Sequence, residues 1–168
     1  TSSAYFSADE NQTAIATLTA SDPDLGDSIT FKRTGGDDNA SFNLTTAGVL
    51  TFASPPDFEN PTDADSNNTY VVEVTATDDS PASLSVSQTI TVTVRNANDS
   101  PVIAQGSAVS VSMTEDGAWV QPTISAIDLE GDVLTWSKLS GPTSGQAIAD
   151  ANGTGSSPTI VYTPDGNF

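Results

Sequence analysis

Apolar and polar residues alternate with a period of two along most of the chain, which is the pattern of half-buried strands and not of helices. Ile29 and Phe31 share one face of such a run, and Phe42 and Leu44 share one face of another. The segment GVLTF (48–52) follows a turn at Gly48. TYVVEVTATD (69–78) places Tyr70, Val72, Val74 and Ala76 on one side, and QTITVTV (88–94) does the same with Ile90, Val92 and Val94. Thr and Ser take the opposite positions, as suits a solvated sheet face. Short alternating runs separated by turn residues predict an all-β, antiparallel sandwich.

The pattern also repeats on a longer scale. ENQTAIATLTASDPDLGDSITF (10–31) recurs loosely as EDGAWVQPTISAIDLEGDVLTW (115–136), offset by about 105 residues. Each copy starts at an acidic residue, closes an apolar stretch on Ala-x-Asp-x-acidic, and passes a Gly-Asp turn into an alternating strand. The chain therefore reads as a sandwich over residues 1–95, a short linker NANDSP over 96–101, and a second sandwich over 102–168. Pro101 stops the strand before it. In the second copy Val111 and Met113, Ile124 and Ala126, Leu134 and Trp136, and Ile160 and Tyr162 mark strands. It runs out about two strands short of the first copy, leaving sheet edges that folds avoid exposing. A cut within a longer protein, or completion by another segment, is the expectation.

Charge narrows the function. Of 168 residues, 22 are Asp or Glu and only four are basic (Lys32, Arg33, Arg95 and Lys138), a formal net charge of −18. Nucleic acid and anionic lipid both need Lys/Arg clusters, so neither is an expected partner. Solubility in a salty or extracellular setting would account for some of this charge. With no Cys and no His, disulfides, thiolate chemistry and the usual zinc sites are excluded, and nucleophile-plus-base catalysis lacks its commonest base. A small extracellular module without disulfides needs another staple, and a bound metal is one of the few left. No apolar run approaches the ~20 residues of a membrane span. No basic-then-apolar leader opens the chain, so any export signal is expected outside it.

The residues resemble the cadherin repeat along the whole first copy. ADENQTAIATLTASDPD is similar to an opening in which a Glu follows the first strand and an Asp-x-Asp closes the second. FNLTTAGVLTF resembles the Phe-x-Ile…Gly-x-Ile hairpin, PDFE the Leu-Asp-Arg-Glu element, YVVEVTATD the Tyr-x-Leu-x-Val-x-Ala-x-Asp strand, and NANDSP the closing linker. The second copy, with TEDG, DLEGDVLTWSKLSGP and YTPDGNF, is similar to cadherin-related immunoglobulin-like repeats of large bacterial surface proteins. The resemblance implies tandem Greek-key β-sandwiches, cadherin/immunoglobulin-like, with the second one incomplete. It also implies Ca2+ at the junction. The ligands would be Glu10, Asp57 and Glu59 from the first module, Asn96, Asn98 and Asp99 from the linker, and Asp128 and Glu130 from the second. Asp22, Asp24 and Asp78 would serve the opposite pole, towards a preceding module. Asn96 stands where Asp is usual, the linker is one residue short, and Asp-Leu-Glu replaces Asp-x-Asp, so fewer than three ions are expected at the junction.

The chemistry suits these residue types. Calcium takes six to eight oxygen ligands in tolerant geometry. Without it, carboxylates ~4 Å apart repel by up to about 4 kcal/mol per pair at an effective dielectric of ~20. Asp22 and Asp24, in SDPDLGD, also read as a turn of solvated carboxylates. DADSNN (63–68) begins like an EF-hand loop but has Asn68 in place of the Gly and Val74 in place of the last Glu, so an EF-hand is rejected. Asp63 and Asp65 then belong to a separate ion site or to a disordered loop, the latter preferred. Trp136 is expected in the core and Trp119 at a strand opening that caps the sandwich. Asp57 and Glu59 sit too close on one turn to straddle a sugar as a hydrolase pair. The expected role is non-enzymatic: an extracellular, calcium-rigidified spacer or presenting segment of a cell-surface adhesin, with neighbouring modules of the same chain as partners. The alternative is a carbohydrate- or protein-binding module in its own right. Exchange of an N-terminal strand would fall to Tyr5 and Phe6, for want of a Trp there.

Overall fold

The computed structural model describes residues 2–24, 27–114, 117–149 and 157–166. The chain divides into two units, Thr1–Ala97 and Asn98–Phe168.

The first unit is a seven-stranded sandwich. β1 (Tyr5–Asp9), β3 (Ile29–Gly35), β6 (Thr69–Asp78) and β7 (Ser85–Arg95) form one sheet in the order β1-β7-β6-β3. β2 (Ala14–Thr17), β4 (Phe42–Leu44) and β5 (Val49–Phe52) form the other, in the order β2-β5-β4. A 3-10 turn, Asn39–Ser41, leads into β4. The long β6–β7 ladder runs antiparallel from Thr69↔Thr93 to Thr77↔Ser85. Strict alternation in both strands sends Tyr70, Val72 and Val74, with Ile90, Val92 and Val94, to one side, where all six are buried. Phe42, Leu50 and Phe52 meet them from the second sheet. Phe42 stacks on Phe52 at 5.2 Å between centroids, and Tyr70 meets Phe52 edge-on at 5.1 Å. The Tyr70 hydroxyl is not stranded in this apolar layer, because it accepts the Thr62 N–H at 3.2 Å.

One pairing departs from the antiparallel expectation. β1 runs parallel to β7, from Tyr5↔Thr91 to Asp9↔Arg95. The Ser2 N–H reaches Thr19 O, just past β2 of the other sheet, at 3.1 Å, while Ala4 O accepts the Thr91 N–H at 2.8 Å. The first residues thus close the edges of both sheets, and β1 and β7 reach the same pole together.

A turn between β3 and the 3-10 helix needs a residue without a side chain. Gly36 has φ +99, and a Cβ there would lie 2.5 Å from Val71 O and 2.6 Å from Val72 Cα. Both obstacles are β6 backbone, which cannot swing aside. Gly36→Ala is expected to lower the unfolding free energy by at least about 2 kcal/mol. Urea denaturation checks this, and a midpoint equal to wild type would contradict it.

The second unit is sparser. β8 (Val102–Ile103) pairs antiparallel with β9 (Ala126–Ile127), and β10 (Gln146–Ala149) with β11 (Ile160–Thr163). Residues 111–114 form no strand, and around 134–136 only Thr135 bridges, so two of the expected strands do not form. The cause is visible in the burial: Val111, Val120, Val133 and Leu139 are exposed, and Ala126 is the unit's one fully buried hydrophobe among the described residues. A strand pattern without a second sheet to cover it gains little from ordering. Trp119 opens no strand. It is half-buried, donates its Nε1 proton to Ile160 O at 3.1 Å, and lies 5.6 Å from the Tyr162 ring. Trp136 is half-buried. Glu115, Asp116, Asn167 and Phe168 of the TEDG and YTPDGNF phrases lie outside the described residues.

Candidate metal centre

In the first unit, β1 and β7 end side by side, and the residue after each end carries an oxygen donor. The Glu10 N–H bonds Arg95 O at 3.0 Å, which extends the parallel ladder and turns the Glu10 side chain inward. That side chain is only 3% exposed. Its Oε2 accepts the Phe58 N–H at 2.7 Å and its Oε1 accepts the Ala97 N–H at 2.8 Å. One carboxylate therefore pins the PDFE turn and the end of β7. Asp57 caps that turn through the Asn60 N–H at 2.9 Å, and half-buried Phe58 anchors it on the core. Glu59 is exposed and accepts an N–H from the Asn96 side chain at 2.6 Å. Oxygens of Glu10 and Glu59 lie within 4.8 Å of each other. Glu10, Glu59 and Asn96 are thus brought together, with Asp57 on the same turn.

The second unit carries its own group. The Asp99 N–H donates to Glu130 Oε2 at 3.1 Å, and oxygens of these two carboxylates come within 4.8 Å. Glu130 Oε1 is buried and accepts no hydrogen bond. Asp128 holds its turn through the Asp132 N–H at 2.9 Å. The Asn98 side chain donates to Asp99 O at 3.2 Å.

At the other pole of the first unit, oxygens of Asp22, Asp24 and Asp27 lie within 4.8 Å of one another. Asp22 Oδ1 accepts the Asp24 N–H at 2.8 Å, the turn read from the sequence. Asp78 has three donors on its Oδ1: Ser80 N–H, Ser80 Oγ–H and Leu84 N–H. Asp79 Oδ1 accepts the Ser28 N–H at 2.8 Å. Desolvation first, and then the charges of Asp79, Asp22, Asp78 and Asp24, raise the Asp27 carboxyl above its ordinary range. Asp27 and Asp79 were not among the expected ligands. The Asp-x-Asp-x-x-Asp spacing and the Asp78-Asp79 pair were the available signals.

The donor sets fit a hard cation. They are oxygen throughout, and the sequence holds no His or Cys to draw a softer metal. The buried, unpartnered Glu130 Oε1 is an acceptor whose desolvation a cation would offset.

The DADSNN loop is not disordered. Asp63 is buried; its Oδ2 accepts the Asn67 N–H at 2.8 Å and its Oδ1 the Asn68 N–H at 3.3 Å. Burial pushes the Asp63 carboxyl up, but the Asn67 amide, a bond with the Asp65 carboxyl and the Asn68 amide more than reverse this and hold it below its ordinary value. That shared bond, with desolvation and the Asp63 charge, raises Asp65. For Asp63 the folded value lies under the unfolded one, so its contribution is present above about pH 4 and is lost as pH falls through the folded value. The stability gap between wild type and Asp63→Asn is therefore expected to shrink below about pH 4. Melts from pH 7 to pH 3 check this; a gap independent of pH would contradict it.

A seven-stranded Greek-key sandwich followed by a smaller all-β unit defines the class: tandem β-sandwich modules of cadherin/immunoglobulin-like kind. The model described as "Cadherin domain" matches residues 4–95, and the one described as "Bacterial Ig domain" matches 98–168. The chain belongs to the cadherin domain family. It is 39% identical over 92 residues to human Protocadherin-23, covering 52% of this chain and 3% of that protein. Mouse Cadherin-related family member 2 is 33% identical over 135 residues, covering 74% of this chain and 10% of that one. The solved Protocadherin GammaB4 extracellular domain is 20% identical with a TM-score of 0.48, over 99% of this chain and 29% of that one. The chain thus spans a small part of its relatives. Its family is an adhesion-type fold and not an enzyme family, and among the described residues no helix is long and apolar enough to cross a membrane.

Proposed function

We propose that this chain is a calcium-rigidified segment of an extracellular surface adhesin, a spacer that presents other modules and performs no chemistry of its own. Glu10 carries the reading. Its carboxylate is almost wholly withdrawn from water, carries no cationic partner among its hydrogen bonds, and lies beside Glu59. A buried carboxylate next to a second one is unfavourable alone and favourable beside a divalent ion. In this reading Glu10, Asp57 and Glu59 of the first module, Asn96, Asn98 and Asp99 of the linker, and Asp128 and Glu130 of the second module supply the calcium ligands. Asp22, Asp24 and Asp78 serve the opposite pole.

Titration calorimetry of the whole chain with calcium tests the reading. Saturable binding is expected with Kd of about 10⁻⁴ to 10⁻³ M, the range of extracellular modules. Solution scattering is expected to give a single longer particle with calcium and a broader distribution with chelator. Absence of binding heat up to several times that concentration would sink the proposal.

A further inference from the structure

Six of the ten Asn residues begin an Asn-x-Ser/Thr triplet without Pro in the middle: Asn11, Asn39, Asn43, Asn67, Asn98 and Asn152. Four of the six also have Asp two places earlier, in DENQT (9–13), DDNAS (37–41), DSNNT (65–69) and DANGT (150–154). With 22 acids in 168 residues, an acid falls at a given position about once in eight, so this pairing is not a by-product of acidic composition. Asn152 lies outside the described residues. The other three gather at one pole of the first unit. Asn11 follows β1 in the turn before β2, and its N–H bonds Pro56 O at 3.0 Å. Asn67 lies in the loop just before β6. The register joins these two places, since β1 and β7 end side by side at Asp9↔Arg95 and β6 begins at Thr69↔Thr93. Asn39 starts the 3-10 turn after β3, which Asp38 ties to Val71 at the same end of β6. Asn43, with Ser41 in place of the acid, sits within strand β4.

We propose that Asn11 and Asn67 are acceptor sites for an N-linked oligosaccharide. The triplet is the pattern such a transferase reads: the hydroxyl two places on docks the chain while the amide nitrogen reacts. An acid two places before gives a cationic subsite of the transferase a second hold. In the transfer the Asn Nδ2 bonds C1 of a sugar carried on a polyprenyl diphosphate. The C1–O bond breaks, the diphosphate leaves with its electron pair, and one amide proton passes to a base of the transferase. Both side chains are exposed and lie outside strands, where a bulky sugar interrupts no sheet pairing. Asn67 Nδ2 donates to Asp65 Oδ2 at 2.7 Å. The transfer replaces one of the two amide hydrogens, and the other remains to donate. Asn39 is left out, because it is half-buried with its Oδ1 3.4 Å from Arg33 Nη1. Sugars on Asn11 and Asn67 set a hydrated collar around the Glu10 pole and shield the 59–70 loop from proteases. The proposal rests on the extracellular reading above but not on calcium, so bare Asn side chains on a chain that binds calcium would sink it alone.

Peptide mass spectrometry of the whole chain tests it, after export from cells that carry a lipid-linked oligosaccharide and a transferase requiring an acid two places before Asn. One oligosaccharide is expected at Asn11 and one at Asn67, with Asn43 bare. Asp9→Asn and Asp65→Asn are each expected to lower occupancy two places on by roughly tenfold or more, since a subsite built for the acid is left unpaired. Thr69→Val, which keeps the shape and loses the hydroxyl, is expected to abolish it at Asn67. Occupancy is read on peptides, so a variant that folds poorly still reports. Asn11 or Asn67 left bare in the wild-type chain, or occupancy indifferent to the loss of the acids, would overturn the inference.

Discussion

Removal of calcium is expected to lower the melting temperature of the first unit by roughly 6–20 °C. With ~10 mM calcium and Kd of about 10⁻⁴ to 10⁻³ M, each independent site stabilises the folded state by about 1.4–2.7 kcal/mol. In a domain of about 100 residues, each kcal/mol moves the midpoint by ~4–8 °C. Two variants of Glu10 separate ligation from packing. Glu10→Gln loses the charge and keeps one oxygen for a backbone amide while its amide nitrogen faces the other N–H donor, so calcium dependence is expected to fall and the chelated protein to melt between wild type and Glu10→Ala. Glu10→Ala also leaves the Phe58 and Ala97 N–H groups without their acceptor. Its chelated form is therefore expected to lose about 2–4 kcal/mol as well. Scanning calorimetry in calcium and in chelator measures both. A wild-type midpoint that does not move, or a Glu10→Gln protein with undiminished calcium response, would exclude Glu10 as a ligand.

The two long strands were legible because each residue's neighbours along the strand decide its side. In β6 the period of two holds in the burial from Thr69 to Val74 and in β7 from Thr89 to Arg95, and burial of Tyr70, Val72, Ile90 and Val92 follows from it directly. Glu10 was singled out for a different reason: it follows the first strand as in the opening of a cadherin-like repeat, and no helix cap or ion pair explains it. Less local features did not show. The parallel approach of β1 to β7 joins residues some 86 positions apart, such as Tyr5 and Thr91, and no pattern within either strand encodes it. Leu134 and Trp136 alternate as convincingly as Ile29 and Phe31, yet only the latter pair has a long neighbouring strand, β6, to pair with. Alternation states which side of a strand would be apolar; whether the strand exists depends on its partner. Asp38 was overlooked altogether, since Asp37-Asp38-Asn39 reads as an ordinary polar turn.

Asp38 is the residue whose loss should be felt furthest from its own position. It is buried at 7% exposure, and three of its hydrogen bonds reach two distant segments. Its N–H donates to Val71 O at 3.0 Å, Oδ2 accepts the Val71 N–H at 2.7 Å, and Oδ1 accepts the Ala64 N–H at 2.7 Å. The 59–70 loop is therefore pinned at Ala64 by Asp38 and knotted internally by Asp63. From that knot the Asn68 side chain donates to Phe58 O at 2.9 Å, and the Phe58 N–H in turn holds Glu10. Asp38→Ala strands two buried amides and is expected to cost about 2–4 kcal/mol, a fall of at least ~10 °C in melting temperature. Asp38→Asn is expected to be little better, because its amide nitrogen would face one of those N–H donors instead of accepting from it. Calcium affinity should fall with stability in both variants, although Asp38 touches no ligand, since the Phe58 amide that orients Glu10 is positioned through the same loop. Melting and calorimetric titration on the same samples decide between the links. Lost stability with undiminished affinity would show that the loop is anchored separately from the metal centre, and a wild-type midpoint would show that Asp38 is not its anchor.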